Sequence, residues 1–364
     1  MLSNIGAALR AGYRVRYWVW VVGLACVQTP ATAQEPVTIK FAHRFSSKHY
    51  LWTDAGVQFT EQVRRRSAGQ VIFDVYPAGQ LGKDHFSLLR AGLADMAIFI
   101  PSYESEKLPL SSVAELPSMY QTACEGTRRY WQLAQPGGVI GQAEYQRHGL
   151  RVLFVAAMPP YTLLTSRKAI TRLEDVKGMK IRSTGASMLK TAKLLGAVPV
   201  QIPSSETYEA LSRGTIDGAI LLHYGVPSNH LEDLTRHSVE GINLGGGVIA
   251  YAISEQRWAG LPRTLQDIMT QAAMDTQETF CRTLDEQNLK TRDSMIKFHG
   301  HQVSRLSPEE VERWNSRLVT VVDDWSHDMD SVGQDGRAML NDYHATAHPS
   351  TVQSPAAAQV EDRP

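Results

Sequence analysis

The sequence has little that would support catalysis or nucleic-acid binding. Its 364 residues include three cysteines, and 37 basic residues balance 37 acidic ones. It contains no G-x-S-x-G nucleophile motif, no G-x-x-x-x-G-K-[ST] phosphate loop and no G-x-G-x-x-G motif after a predicted strand. A neutral chain gives no reason to expect nucleic acid or an anionic membrane surface as a partner. We therefore expect neither enzymatic activity nor a cofactor.

Long hydrophobic runs are also missing. The longest apolar stretch, YWVWVVGLACV (17–27), is about half the ~20 residues that cross a bilayer. Three arginines precede it, and an A-x-A cleavage motif follows it at 31–33. This order predicts a cleavable signal peptide over 1–33 and a periplasmic protein. Two alternatives stay open, an uncleaved N-terminal anchor and a lipid on Cys26.

The cysteine content excludes a disulfide framework. Removal of the signal peptide leaves 34 basic against 37 acidic residues, with Cys124 and Cys281 as the remaining cysteines. Export permits a disulfide, but two cysteines so far apart in the chain are not a framework. We expect two separate buried thiols.

One short pattern occurs twice. LRAGLADMAIF (89–99) and LSRGTIDGAIL (211–221) share the template L-x-x-G-x-x-D-x-A-I, and each follows an apolar strand-like segment, VIFDVYP (71–77) or VPVQIP (198–203). Each copy is predicted to be a strand, a helix that ends at glycine, and a second strand, which is a βαβ unit. Two copies favour two α/β lobes of similar design. The alternative is chance similarity within a single doubly wound sheet.

The last third of the chain has a helical pattern. Apolar residues near helical spacing predict one long helix over 263–298, and Ser307-Pro308-Glu309-Glu310 is a helix start. We predict a further C-terminal helix over 326–345. The tail over 346–364 has too little apolar content to pack, which favours disorder.

Glycines and histidines offer weak site candidates. Gly245-Gly246-Gly247 lies between two apolar segments, which favours a turn or crossover over a phosphate cradle. The pairs His299/His301 and His344/His348 have metal-like spacing without a third ligand nearby, so we expect surface histidines and no metal site.

Arg182 is the most informative residue. It ends a short strand in KGMKIRSTG (177–185), directly before a Ser-Thr-Gly loop and a predicted helix. Ligands of α/β sheets bind beyond the carboxyl ends of the strands, where a guanidinium can hold a carboxylate through two hydrogen bonds. An ordinary surface arginine is the competing interpretation.

Several motifs together resemble a known family. The chain is similar to the DctP-type periplasmic substrate-binding proteins of tripartite ATP-independent (TRAP) transporters. The resemblance is carried by IKFAH (39–43), VYPAGQLG (75–82), LRAGLADMAI (89–98), VAELP (113–117), TSRKAITRLEDVKGMKIRS (165–183), LGAVPVQIPSSETYEALSRGTIDGAI (195–220) and ISEQRWAGLP (253–262).

The resemblance implies an α/β, two-lobed periplasmic-binding-protein (Venus-flytrap) fold with hinge strands and long C-terminal helices. We expect the first lobe to comprise 34–157 with about 247–290, and the second lobe 158–246 with about 291–325. The implied function is capture of an organic acid and its delivery to the membrane permease subunits of a TRAP transporter by a protein that we expect to be a monomer.

The resemblance also implies a ligand site between the lobes, with Arg182 as the carboxylate-binding arginine. Residues expected to line the first lobe's wall are His43, Lys83 or Asp84, and Phe99 to Pro101. Those expected on the second lobe are Tyr161, Thr162, Thr184, Ser204 and the segment 221–224, which starts at Leu221.

Two departures from the family pattern bear on the ligand. Some members, such as sialic-acid binders, carry a second arginine where this chain has Thr162, and many carry Asn-Pro after the Asp-Gly that here precedes Ala219. One arginine with apolar Leu221 and Leu222 favours a small or apolar monocarboxylate, an aromatic or keto acid, over a sugar acid. Two other functions stay open: a ligand receptor for a sensor kinase, and a secreted enzyme with a histidine or Glu206 as base.

Overall fold

Two β-sheets organise the chain. The computed structural model describes residues 35–347, so the predicted signal peptide, Cys26 and the tail beyond Ala347 lie outside the described residues. The first sheet has the order β2-β1-β3-β10-β4. Its strands are β1 (Val37–Ala42), β2 (Val71–Tyr76), β3 (Met96–Phe99), β4 (Leu150–Ala157) and β10 (Val248–Ser254). The second sheet has the order β11-β9-β5-β8-β6-β7. Its strands are β5 (Thr162–Thr165), β6 (Lys180–Ser183), β7 (Val198–Gln201), β8 (Gly218–Leu221), β9 (His237–Glu240) and β11 (Gln302–Arg305).

The repeated pattern occupies the same place in both sheets. In the first sheet β2 and β3 flank β1 in parallel, and in the second β7 and β8 flank β6 in parallel. Gly92 and Gly214, the glycines of the two copies, have φ of 67° and 68°, the left-handed conformation that ends a helix. The two-lobed prediction is confirmed, and a single doubly wound sheet is excluded. The residue limits of the lobes stay a prediction.

Two segments cross between the sheets side by side. Residues 158–161 connect β4 to β5, and residues 241–247 connect β9 to β10. The amides of Met158 and Tyr161 donate hydrogen bonds to the carbonyls of Gly247 (2.8 Å) and Gly245 (2.7 Å). Gly245 has a φ of 88°, and a Cβ there would lie 2.2 Å from the Glu115 carbonyl oxygen. The glycine triplet is therefore a crossover, as predicted.

Helices cover the outer faces of the sheets. They are α1 (Val57–Arg66, preceded by a π-helical stretch Leu51–Gly56), α2 (His85–Arg90), α3 (Ala123–Ala134), α4 (Gly185–Leu194), α5 (Thr207–Ser212), α6 (Gly225–Ser228), α7 (Glu255–Ala259), α8 (Arg263–His299), α9 (Pro308–Ser331) and α10 (Gly336–Ala345). The long helix predicted over 263–298 is confirmed as α8. Residues 326–345 form the end of α9 and all of α10 rather than one helix, because Gly333 between them has a φ of 76°.

The prediction of two separate thiols is wrong. Cys124 and Cys281 form a disulfide with their Cα atoms 4.7 Å apart. Cys124 lies in the first turn of α3 and Cys281 in the middle of α8. The Asp285 carboxylate on α8 also accepts hydrogen bonds from the amides of Ala123 (2.7 Å) and Cys124 (3.2 Å), which joins the same two helices. The distance along the chain gave no information about this packing.

The prediction of surface histidines is wrong for His301. Its side chain is buried and hydrogen-bonded to the Thr235 carbonyl (2.9 Å) and the Ser238 hydroxyl (2.8 Å). His344 is exposed, and its predicted partner His348 lies outside the described residues. Within residues 35–347 there is no group of three or more histidine, cysteine or acidic side chains that could hold a metal ion. None of the helices in this range is long and apolar enough to cross a membrane.

Candidate functional site

A cleft lies between the two sheets, bounded by the ends of β6 and β8, the turn after β3, and both crossovers. It measures about 500 Å³, counted with its opening to solvent. Its walls come from both lobes. The bordering residues are Phe45, His49, Tyr50, Leu51, Ile100, Ser102, Tyr103, Met158, Tyr161, Arg182, Thr184, Ser204, Leu221, Leu222, Gly225, Asn229, Gly247 and Ile249.

Arg182 reaches this cleft from the end of β6. Its side chain is 2% exposed, and its guanidinium donates to the carbonyls of Ile202 (3.2 Å) and Ile220 (3.5 Å) and to the Tyr103 hydroxyl (3.5 Å). All three acceptors are neutral, and no carboxylate of the described residues lies within 4.0 Å of it. Arginine is rarely buried without an acidic partner, because removing its charge from water is costly. The arrangement thus suits an anion brought from outside.

Tyr103 connects the two lobes at this point. It ends the short turn Pro101–Tyr103 after β3, and its hydroxyl accepts from the Ser204 amide (3.0 Å) as well as from Arg182. The Arg44 guanidinium lies 5.0 Å from the centre of the Tyr103 ring, within cation–π distance. Since both contacts to the second lobe use the oxygen as acceptor, the hydroxyl proton is available for a ligand.

An aromatic wall faces the cleft from the first lobe. Phe45, His49 and Tyr50 stack in series, with ring centres 4.4 Å and 4.6 Å apart. They follow β1 in the stretch FAHRFSSKHYLW, whose density of aromatic residues directly after a strand was the signal that could have identified them. Leu221 and Leu222 add apolar surface from the second lobe. The walls around Arg182 are therefore largely apolar.

Five of the residues selected from the sequence border the cleft: Arg182, Tyr161, Thr184, Ser204 and Leu221. Ile100 of the predicted stretch 99–101 and Leu222 of the predicted segment 221–224 border it as well, whereas Pro101, His223 and Tyr224 do not. Sequence reasoning missed the aromatic wall together with Ser102, Tyr103, Met158 and Asn229.

Four selected residues do not border the cleft. His43 is fully buried and stacks on Trp52 at 4.6 Å, inside the first lobe. Phe99 is also buried, against Phe86 at 4.8 Å, because side chains of successive strand residues point to opposite faces and Ile100 takes the cleft side. The Thr162 hydroxyl is turned away and donates to the Val239 carbonyl.

Lys83 is the fourth, and its side chain is exposed to solvent while its carbonyl accepts from Arg44 (3.1 Å). The alternative, Asp84, caps α2 through a hydrogen bond from the Ser87 amide (3.1 Å). Neither residue borders the cleft.

Burial keeps several titratable groups near the cleft uncharged. It lowers the pKa of His43 and of His49 to about 4, so both rings are neutral at ordinary pH. It raises the pKa of the Glu115 carboxyl to about 8, and the nearby Ser102 and the Val248 amide offset only part of that effect. Glu115 Oε1 has no hydrogen-bond partner in the described part of the chain. A neutral Glu115 next to the glycine crossover leaves Arg182 without an internal counter-charge.

Glu115 gives a testable pH dependence. Its folded pKa of about 8 exceeds the unfolded value of 4.5, so its contribution to stability falls as pH rises between these two values. The four histidines with the most strongly lowered pKa, near 3 to 4, act in the opposite sense, and their effect fades within about one pH unit above their unfolded value of 6.5. Glu144, whose pKa burial raises to about 7, acts in the same sense as Glu115 up to that pH. From about pH 7 to 8 Glu115 should therefore contribute a fall in the free energy of unfolding of up to about 1.4 kcal/mol per pH unit. Glu115→Gln should flatten this slope in urea unfolding curves.

Glu106→Gln is the matched control, since Glu106 lies in the same segment but is exposed. It should keep the slope of the unmodified protein. Equal slopes for Glu115→Gln and the unmodified protein would show that Glu115 is already ionised in the folded state.

Comparison with known proteins agrees with this geometry. The sequence model of the DctP family, described as bacterial extracellular solute-binding protein, family 7, matches residues 41–328. A solute-binding protein of Albidiferax ferrireducens is 30% identical over 227 residues, which are 60% of this chain and 63% of that protein. The C4-dicarboxylate-binding periplasmic protein DctP of Rhodobacter capsulatus is 24% identical over 82% of this chain and 89% of its own.

Solved structures of TRAP solute-binding proteins superpose on most of this chain. A TRAP solute-binding protein of Rhodoferax ferrireducens, crystallised with copurified benzoate, superposes with a TM-score of 0.77 and 27% identity. The match covers 85% of this chain and 97% of that one. A TRAP solute-binding protein of Bordetella bronchiseptica, crystallised with (R)- and (S)-mandelate, superposes with a TM-score of 0.76 and 24% identity. The match covers 85% of this chain and 98% of that one, and at this identity it shows that the two proteins share a fold. With its two sheets, paired crossovers and a family match over most of its length, this chain belongs to the DctP family of bacterial extracellular solute-binding proteins.

Proposed function

We propose that this protein captures an organic acid in the periplasm and delivers it to the permease subunits of a TRAP transporter. The observation that carries the proposal is the buried Arg182, whose described hydrogen-bond acceptors are all neutral. A ligand carboxylate would supply the missing negative charge and match the planar guanidinium.

The ligand class follows from the rest of the wall. Among the described residues that border the cleft, Arg182 is the single one that carries charge at neutral pH, because His49 is neutral. A second carboxylate on the ligand would be buried without a cation, so a monocarboxylate fits best. The aromatic wall and the leucines favour an aromatic or other apolar body. The benzoate found in the related structure from Rhodoferax ferrireducens supports the same class.

Neither alternative function gains support from the structure. Glu206, the candidate base of a secreted enzyme, is exposed and does not border the cleft. A sensor-kinase receptor would share the binding step and differ in its partner. Uptake of the ligand into vesicles that contain the permease subunits, with and without this protein, separates transport from sensing.

The proposed binding step is tested with a panel of monocarboxylic acids. Benzoate, phenylacetate, mandelate and pyruvate should raise the melting temperature to different extents, because a ligand that binds only the folded state stabilises it by mass action. Succinate and galacturonate serve as comparisons with an added charge or several hydroxyls. A panel in which the monocarboxylates give no shift, measured at millimolar concentration, would contradict the proposal.

We also propose that the ligand holds the two lobes closed. Contacts across the cleft include Tyr103 with Ser204, the Tyr224 hydroxyl with the Asp54 carboxylate, and the rings of Tyr50 and Tyr224, 4.7 Å apart. A ligand that touches Arg182 on one side and the aromatic wall on the other binds this closed form better than an open one.

The expected result is a smaller radius of gyration in X-ray scattering when a saturating acid is added. Arg182→Ala should lose this change, since the acid then has no anchor in the second lobe. The same scattering profile with and without an acid whose binding is confirmed by calorimetry would exclude closure.

A further inference from the structure

We infer that the cleft contains a hydroxyl-recognition pair, His49 and Asn229, and that the preferred ligand is a monocarboxylate whose aromatic body carries a hydroxyl group. This inference rests on the proposed function and narrows its ligand class. The two residues belong to different lobes, and both border the cleft and the wider opening outside it.

The orientation of the His49 ring is fixed. The side chain is 7% exposed and lies between the rings of Phe45 and Tyr50, at 4.4 Å and 4.6 Å, with interplanar angles of 29° and 25°. Its Nδ1 accepts a hydrogen bond from the Leu51 amide at 3.2 Å. An amide can donate only to an unprotonated nitrogen, so in the neutral ring the proton is on Nε2.

His49 therefore presents a donor to the cleft. No described residue accepts a hydrogen bond from Nε2, and this atom is not among the buried polar atoms that lack a partner, so it retains accessible surface. The open space that the ring borders is the cleft and its opening. Because burial keeps the ring neutral, Nε2–H serves as a directional hydrogen-bond donor and adds no second positive charge.

Asn229 borders the same space and has an acceptor without a described donor. Its Nδ2 donates to the Gly225 carbonyl at 2.7 Å, which fixes the orientation of the amide and leaves Oδ1 free of described donors. A hydroxyl group both accepts and donates, so it has the chemistry to pair with Nε2–H of His49 and with Oδ1 of Asn229, which border the same space. A ketone or ether could satisfy the first but not the second, and a bare ring would replace neither hydrogen bond of the water that it displaces.

The experiment compares dissociation constants by calorimetry for benzoate, 3-hydroxybenzoate and 4-hydroxybenzoate. For the unmodified protein we expect at least one hydroxybenzoate to bind about tenfold more tightly than benzoate, the effect of two net hydrogen bonds. His49→Phe keeps the stacked ring without the donor, and Asn229→Leu removes the acceptor. In each variant the dissociation constant for benzoate should exceed that for the preferred hydroxybenzoate by no more than about threefold.

The readout is the ratio of the benzoate and hydroxybenzoate dissociation constants, so a change in overall affinity does not affect the conclusion. Two variants are used so that the test still works if one of them fails to fold. Ser205→Ala, at the same opening, is the matched control and should keep the ratio. Equal affinities for all three acids in the unmodified protein, or a ratio unchanged in both variants, would overturn the hydroxyl pair and leave the proposed function standing. Binding of all three acids by Arg182→Ala would overturn the proposed function itself, and no binding by the unmodified protein would overturn both.

Discussion

Arg182→Ala is expected to weaken acid binding by roughly 30- to 4,000-fold, because removing one member of a buried, hydrogen-bonded charge pair costs about 2–5 kcal/mol. Arg182→Lys should also bind poorly, since an ammonium lacks the planar arrangement of donors that fits a carboxylate. Calorimetry with the acid that gives the largest thermal shift measures both effects.

The variant should still fold, and this separates a binding role from a structural one. Without ligand, Arg182 is a buried charge with neutral partners, so its removal relieves a desolvation cost while it leaves the Ile202 and Ile220 carbonyls short of one donor each. These effects oppose each other, and we expect a melting temperature close to that of the unmodified protein. Arg305→Ala, on the exposed edge strand β11, is the control and should bind normally. Binding by Arg182→Ala within about threefold of the unmodified protein would rule out the assigned role.

The second large effect concerns the disulfide between Cys124 and Cys281. It closes a loop of 157 residues, and in the chain-entropy account a loop of this length restricts the unfolded state by about 5 kcal/mol. Measured losses for native disulfides are about 2–5 kcal/mol. The double variant Cys124→Ala/Cys281→Ala should lose stability in this range in urea unfolding, with ligand affinity retained because the bond lies outside the cleft.

A reducing agent supplies the control. It should lower the stability of the unmodified protein toward that of the double variant and leave the variant itself unchanged. If the oxidised protein and the variant unfolded at the same urea concentration, the bond would contribute nothing measurable.

Local patterns in the sequence predicted most of the fold. The repeated template predicts two βαβ units, because the glycine that ends each helix and the apolar run after it are local properties of the chain. The long helix α8 was predictable for the same reason. The pairing of Cys124 with Cys281 was not, because it depends on how α3 and α8 pack, and neither helix shows its partner in its own residues.

The candidate site was only partly predictable. Arg182 could be placed at the cleft because its strand, loop and helix follow one another in the chain. His43 and Phe99 also follow or end strands, yet both are buried in the first lobe. The alternation of strand side chains turns Ile100 rather than Phe99 toward the cleft, and His43 packs on Trp52 instead. The aromatic wall was missed because Phe45, His49 and Tyr50 belong to an irregular stretch, where sequence spacing does not fix direction.

The position of β10 has a consequence for how the chain is made. This strand pairs with β3 on one side and β4 on the other, so the first sheet cannot be completed until residues 248–254 have been synthesised. Until then β3 and β4 each expose an edge of unpaired backbone groups, although they lie about a hundred residues or more upstream. Most of the second sheet is therefore synthesised before the first one can close. The first sheet of a nascent chain of this design stays incomplete through most of its synthesis, which would suit the proposed export of the chain before it folds.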